Sequence, residues 1–174
     1  MQFVDYCSDV LIQQRDTSGY FSRSWAEFKV GFGNPSGHYW IGNERLSQTT
    51  LTGRYKLKFD LQQRGTGRWY YAEYSMFRVQ LEADNYRLEV AGYHGSADHD
   101  AFGRLNGQHN GQMFTTYDRD NDRKCGNCAT SYGGGFWYNN CFQCGLNVAS
   151  NNFAWTGLPG DHRLQKSRMW LQCK

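Results

Sequence analysis

The sequence predicts an α+β domain: antiparallel strands with two short helices, then a loop-rich final part. Three observations carry that expectation. Only 39% of the residues are hydrophobic, yet 17% are aromatic and 20 are glycine, so the apolar area comes largely from Trp, Tyr and Phe set between turns. Period-two alternation, the mark of half-buried strands, recurs between residues 55 and 93. Beyond residue 94 the pattern dissolves into Gly, Asn, Asp and aromatics, a composition expected to need ions and disulfides to hold it. At 174 residues the chain suits one domain with a real core.

Taken in order, Val10-Leu11-Ile12 is apolar and largely β-branched and reads as a strand. Ser24-Trp25-Ala26-Glu27-Phe28-Lys29 places a capping serine three residues before a glutamate, a helix start. A second helix is expected over Asn43 to Thr50. Tyr55 to Leu61 alternates strictly. Tyr70 to Leu81 and Tyr86 to Tyr93 alternate likewise, and Ala83-Asp84-Asn85 supplies turn formers between them, so an antiparallel hairpin is expected.

A net charge of +3 without any dense run of Lys or Arg does not imply nucleic acid. No segment is apolar and long enough to span a membrane, and the opening MQFVDYCSDV lacks a signal-peptide core, so Met1 reads as an initiator on a processed or cut chain. Six cysteines suit an oxidised, secreted chain, although six thiols pair in fifteen ways.

The chemistry concentrates in DRDNDRKCGNCATSYGGGFWYNNCFQCGLN, residues 118–147. Cys125-x-x-Cys128 and Cys141-x-x-Cys144 stand twelve residues apart, close to but shorter than zinc-ribbon spacing, and the stretch between them is bulky and aromatic. Asp118, Asp120 and Asp122 alternate as carboxylates around a calcium ion do. An EF-hand is excluded, because its glycine and final glutamate positions hold Arg123 and Ala129. An acidic, solvated turn without an ion fits the same three residues. Asp98-His99-Asp100 invites a hydrolase reading, but no nucleophile motif accompanies it, and no enzyme is expected.

The run YDRDND, NCA, GGGFWYNNC and LN, preceded in order by VLIQQR, SWAEFKVGFG, SGHYWIGNERL and YKLKFDL, resembles the fibrinogen-related domain over roughly residues 10–172. The lectin-type members, ficolins, tachylectins and invertebrate immune lectins, look most similar. The resemblance implies a fibrinogen-like globular fold with a central twisted antiparallel sheet and short helices. One domain over 1–174 would divide into a reduced N-terminal part to about 20, a sheet part over about 21–93 and a calcium and ligand part over about 94–174. It also implies Ca2+ held by Asp120 and Asp122 with the carbonyls of Lys124 and Gly126, Asp118 supporting.

The family bridge maps to Cys128-Cys141, whose fourteen-residue loop is worth roughly 3 kcal/mol. Cys125 and Cys144 flank it and suggest a nested second bridge, with free thiols as the rival, and Cys173 is an available partner for Cys7. In lectin-type relatives a cis peptide, matching Asn127-Cys128, displays N–H groups to an acetyl oxygen. Carried over, the ligand set is Asn127, Cys128, Tyr132, Phe136, Trp137, Tyr138, Asn140, Cys141, Phe142 and Trp155, although Phe136, Trp137 and Trp155 also read as core.

Two departures bear on that pocket. Phe142 stands where acetyl-binding and peptide-binding members have His, and Val148–Asn152 is shorter than the family loop. A pocket for a peptide amino terminus is not expected, since its acidic and amide positions hold Ser131 and Tyr132. The resemblance therefore implies a secreted, calcium-dependent recognition module. Its ligands would be acetyl groups or carbohydrate on microbial or host surfaces, in innate immune pattern recognition, with avidity from oligomers formed outside this chain. The alternative is a protein-binding module, a receptor ligand or matrix contact, without a sugar pocket.

Overall fold

The structure is a computed structural model and describes residues 7–103 and 109–174; Met1 and the first few residues of the expected N-terminal part lie outside the described residues. A seven-stranded antiparallel sheet in the order β2-β3-β1-β9-β4-β5-β6 organises it. Its strands are β1 (Val10–Asp16), β2 (Phe32–Gly33), β3 (Tyr39–Trp40), β4 (Tyr55–Gln63), β5 (Trp69–Val79), β6 (Leu88–Gly95) and β9 (Leu164–Cys173). A two-stranded ribbon, β7 (Cys144–Gly145) with β8 (Ala154–Trp155), sits apart.

Alternation makes the sheet two-sided. In β4, Leu57, Phe59 and Leu61 are buried while Lys56, Lys58 and Asp60 face outward. The facing residues of β9, Leu171, Met169 and Ser167, are buried opposite them in register. On the buried side lie the helices and the C-terminal loops; on the other, Trp170 Nε1 donates to Asp60 Oδ2 at 3.0 Å and Arg168 lies over Trp69.

Helix α1 (Trp25–Val30) begins as its sequence requires: Ser24 Oγ accepts from Glu27 N, and Glu27 returns the bond to Ser24 N at 2.9 Å. Helix α2 (Asn43–Thr50) occupies the expected span. Between β5 and β6 the chain turns through a 3-10 turn, Glu82–Asp84, with Asn85 left-handed at φ 50°, a conformation asparagine tolerates better than most residues.

Strand β9 corrects the expectation that the chain beyond residue 94 is mainly loops and ions. It lies between β1 and β4 at the middle of the sheet, and its inward residues Leu164, Ser167, Met169 and Leu171 are buried. The expected division into a terminal, a sheet and a loop part therefore does not follow chain order, because the first and last strands pair with each other over Val10↔Leu171 to Asp16↔Lys166.

The interior is also partly polar. Arg15, 1% exposed, donates to the carbonyls of Leu146, Val148 and Gly19 and lies 4.3 Å from the Phe153 ring centroid. Gln13 bonds Asn147 and Ser167. Buried polar groups persist only when paired, and here the pairing fastens the loop at 146–148 to β1.

Candidate functional site

The loop at 116–128 is shaped by its own carboxylates. Thr116 and Arg119 exchange backbone hydrogen bonds across a tight turn. Asp118 Oδ1 accepts from the Thr116 hydroxyl at 2.7 Å and from Trp25 N at 2.9 Å, which satisfies a first-turn N–H of α1 that has no helical partner. Asp118 thus ties the loop to the helix. Asp122 points inward: Oδ1 accepts from Lys124 N at 2.9 Å and Oδ2 from Cys128 N at 2.8 Å. Asp120 Oδ1 accepts from Asp122 N at 3.2 Å.

Partial burial pushes the Asp122 carboxyl above its ordinary range; the Asp120 charge adds to that push, and the two backbone donors oppose it. A cation beside the two carboxylates would offset the Asp120 charge and favour the ionised form of Asp122. Among the described residues the carbonyls of Lys124 and Gly126 accept no hydrogen bond, and Gly126 has φ 107°, so those oxygens remain available. The Lys124 ammonium lies 5.6 Å from the Tyr132 ring centroid, turned to the ring. These are all oxygen donors and fit a hard cation.

Zinc does not fit. Two of its four prospective cysteine ligands are consumed by the Cys128-Cys141 bridge, with Cα atoms 5.7 Å apart. Among the described residues no three His, Cys, Asp or Glu side chains converge on one point. Cys7 pairs with Cys173. The nested bridge is absent: Cys125 is an exposed free thiol and Cys144 a buried one, held inside by β7 while Cys125 rides on the surface loop.

Helix α3 (Cys128–Tyr132) is capped by Asn127, whose Oδ1 accepts from Thr130 N at 2.9 Å. The Gly133-Gly134-Gly135 run that follows is there for close approach: a Cβ at Gly134 would strike the Asn147 carbonyl and one at Gly135 the Phe28 ring. The cis peptide falls at Asn140-Cys141, not at Asn127-Cys128. Asn127 is extended as the cap of α3, and the Cys128 N–H is already given to Asp122, so the Cys128 N–H is not displayed to a ligand as expected.

The expected aromatic wall is core. Phe136, Trp137, Tyr138 and Trp155 are all 0% exposed. Trp137 Nε1 donates to Tyr86 O at 2.7 Å, the Tyr138 hydroxyl donates to Gly134 O, and Trp155 packs 5.1 Å from Phe59. Only the rim remains near the surface, as half-buried Tyr132 and Phe142 and exposed Asn140. Phe142 sits edge-on to Tyr132 at 4.9 Å and 6.1 Å from Tyr138, an apolar ring where a histidine would present ring nitrogens.

Sequence reasoning missed His109. Its ring is fully buried, with Nδ1 bonded to Trp137 O at 2.8 Å and Nε2 accepting from Gln143 N and Cys144 N. Burial lowers its pKa to about 4. A lone His gives no sequence signal for such a cross-link. In the Asp98-His99-Asp100 stretch, Asp100 Oδ1 accepts from the Tyr74 hydroxyl and from Phe102 N and Gly103 N, beside an open groove of about 430 Å³. Its carboxylate is spent on shaping that loop.

This arrangement, a capped loop of carboxylates leading into a bridged aromatic core on an antiparallel sheet, matches the family model for the C-terminal globular domain of fibrinogen beta and gamma chains over residues 6–169. The chain belongs to that family. Fibrinogen-like globe domains share its fold: that of human ANGPTL2 superposes with a TM-score of 0.86 at 37% identity, covering 99% of this chain and 83% of that one. Lamprey fibrin D-dimer, complexed with the peptide Gly-His-Arg-Pro-amide, gives 0.81 at 29% identity, covering 92% and 60%.

Angiopoietin-related protein 2 of Homo sapiens is 45% identical over 132 residues, 75% of this chain and 26% of that protein. Tenascin of Gallus gallus is 40% identical over 165 residues, 95% of this chain and 8% of that protein. The chain thus spans about a quarter or less of these curated relatives. They are angiopoietin-related proteins and a tenascin, not the lectin-type members to which the sequence resemblance pointed.

Proposed function

We propose that this fibrinogen-like domain is an extracellular module that binds a protein partner through an exposed surface, rather than a lectin with an acetyl or sugar pocket. The packing of Phe142 against Tyr132 and Tyr138 carries the reading, because it sets an apolar ring where a lectin of this type would offer a polar histidine. Two disulfides support an oxidising location. The similarity to angiopoietin-related proteins and tenascin supports the same direction, and among the described residues no helix is long and apolar enough to cross a membrane. No catalytic role is proposed.

The test is binding of the labelled domain to intact cells and matrix. Protease treatment of the surface is expected to abolish binding, while N-acetylglucosamine and acetylated competitors leave it unchanged. Loss of binding to free sugar, with protease-treated surfaces still active, would reject the reading.

Calcium belongs to the same proposal. Asp120 and Asp122, with the carbonyls of Lys124 and Gly126, would hold the ion and supply oxygen ligands, waters completing the set. Its role is to fix the loop that Asp118 joins to α1. Calorimetric titration is expected to show one calcium site in the wild-type chain and none in the D120A/D122A double variant; equal heats in both would remove these residues as ligands.

A further inference from the structure

The sequence has no dense run of Lys or Arg, yet strand register assembles a cation patch on the outer face of the sheet. In the row through Gln62, Lys166 stands on one side and Trp69 on the other. In the next row Arg168 faces Asp60, and its guanidinium carbon lies 5.6 Å from the Trp69 ring centroid. Where these strands end, Arg64 N donates to Arg163 O at 2.9 Å and Gln63 N to Arg68 O at 2.8 Å, which gathers Arg64, Arg68 and Arg163 at the hairpin between β4 and β5. At about 4.8 Å between strands and about 3.4 Å per residue, these five cations share a patch of roughly 10 Å by 14 Å.

The acids around the patch are already engaged. Asp161 is held by Arg163 at 2.7 Å, Asp60 by Lys58 at 3.3 Å and by Trp170 Nε1 at 3.0 Å, and Asp16, opposite Lys166, by the Ser18 hydroxyl at 2.6 Å. Among the described residues Arg64, Arg68, Lys166 and Arg168 make no ion pair. With Lys58 included, the cations outnumber these acids by three, so this end of the sheet carries the formal net charge of +3 and the remainder of the chain balances.

We propose that this face binds a sulfated glycosaminoglycan, a linear extracellular polyanion. Strands β4 and β9 are paired on both sides, so their backbone groups are used within the sheet and side chains alone recognise the ligand. Those side chains are guanidinium forks and an ammonium, which suit the oxygens of sulfate and carboxylate groups. Trp69, 48% exposed beside Arg168, offers an indole surface on which a sugar ring packs. A protein interface would place an apolar, charge-depleted centre where this face has cations around a single ring. The two disulfides support a location where such polymers occur. The face is open, unlike the acetyl pocket rejected above, and its occupancy is independent of the protein partner proposed for the domain.

The experiment is binding of the whole domain to immobilised heparin, by surface plasmon resonance at an ionic strength of about 0.15 M. Arg64→Ala/Arg68→Ala/Lys166→Ala is compared with Arg23→Ala/Arg45→Ala/Arg123→Ala, which removes the same charge from the helix and loop side, and with Trp69→Ala; melting temperatures confirm that each variant is folded. Heparin is expected to bind the wild-type domain. The patch triple should lose about tenfold or more in affinity while the control triple stays within about twofold. Trp69→Ala should bind more weakly than wild type, and poly-L-glutamate more weakly than heparin. No heparin binding by the wild-type domain, equal losses in the two triples or undiminished binding by Trp69→Ala would each overturn the proposal. So would poly-L-glutamate binding as tight as heparin, which would make an acidic protein the occupant.

Discussion

Asp118 and Asp122 stand four residues apart and bond in opposite directions, one outward to α1 and one inward to α3. Replacing Asp118 by Ala removes the acceptor for Trp25 N–H and for the Thr116 hydroxyl. A cap or charged acceptor of this kind is worth about 1–2 kcal/mol, and urea unfolding of Asp118→Ala should show that loss, with Asp118→Asn recovering most of it. Phe142→Ala removes a half-buried ring from Tyr132 and Tyr138, which should cost about 1–2 kcal/mol, less than the 3–5 of a full core truncation. For a domain of this size that corresponds to a melting-temperature drop of roughly 2–8 °C. The sequence showed the Phe142 departure but not its consequence, because whether an aromatic lines a pocket or fills it depends on neighbours that spacing does not reveal. Phe136, Trp137 and Trp155 fall to the core for the same reason.

At the scale of elements, the capping box of α1 and the alternation of β4, β5 and β6 were legible because each is local: a cap is three residues long and a pleat repeats every two. Strand β9 was not. Its buried face reads Ser167, Met169, Leu171, and a serine on the inner face hides the pattern; Ser167 is tolerated there only because Gln13 on β1 accepts its hydroxyl at 3.1 Å. That partner lies 154 residues away, so no local window contains the explanation. Met169 is 0% exposed and faces Phe59. Met169→Ala should cost about 2–5 kcal/mol, measured by chemical denaturation, whereas Gln165→Ala on the exposed side of the strand should change stability by less than about 0.5 kcal/mol.

For the whole molecule, His109 sets an acid limit. Its folded pKa is lowered to about 4 from the usual 6.5. Above pH 6.5 the ring is neutral in both states and its hydrogen bonds contribute fully. As pH falls from 6.5 to 4 the unfolded chain takes up a proton that the folded one resists, and stability drops, by about 3 kcal/mol over the window. Melting temperature measured between pH 7 and pH 4 should fall accordingly, and the slope attributable to this ring should vanish in His109→Gln. The Cys7-Cys173 bridge spans a sequence separation of 166, and on the chain-entropy account a loop of that length contributes about 5 kcal/mol. Cys7→Ser with Cys173→Ser should lower the melting temperature by roughly 10 °C or more.

That bridge also decides how the domain would bear load. Because β1 and β9 are antiparallel neighbours, with Val10 opposite Leu171, both chain ends leave from the same end of two central strands, and tension on them would unzip the strands one hydrogen bond at a time, the weakest direction in which a sheet can be pulled. Cys7 and Cys173 close the zipper at its mouth. Force then crosses from one flank of the chain to the other through a single covalent bond, and the sheet, the loop and the aromatic core hang beside that path without carrying tension.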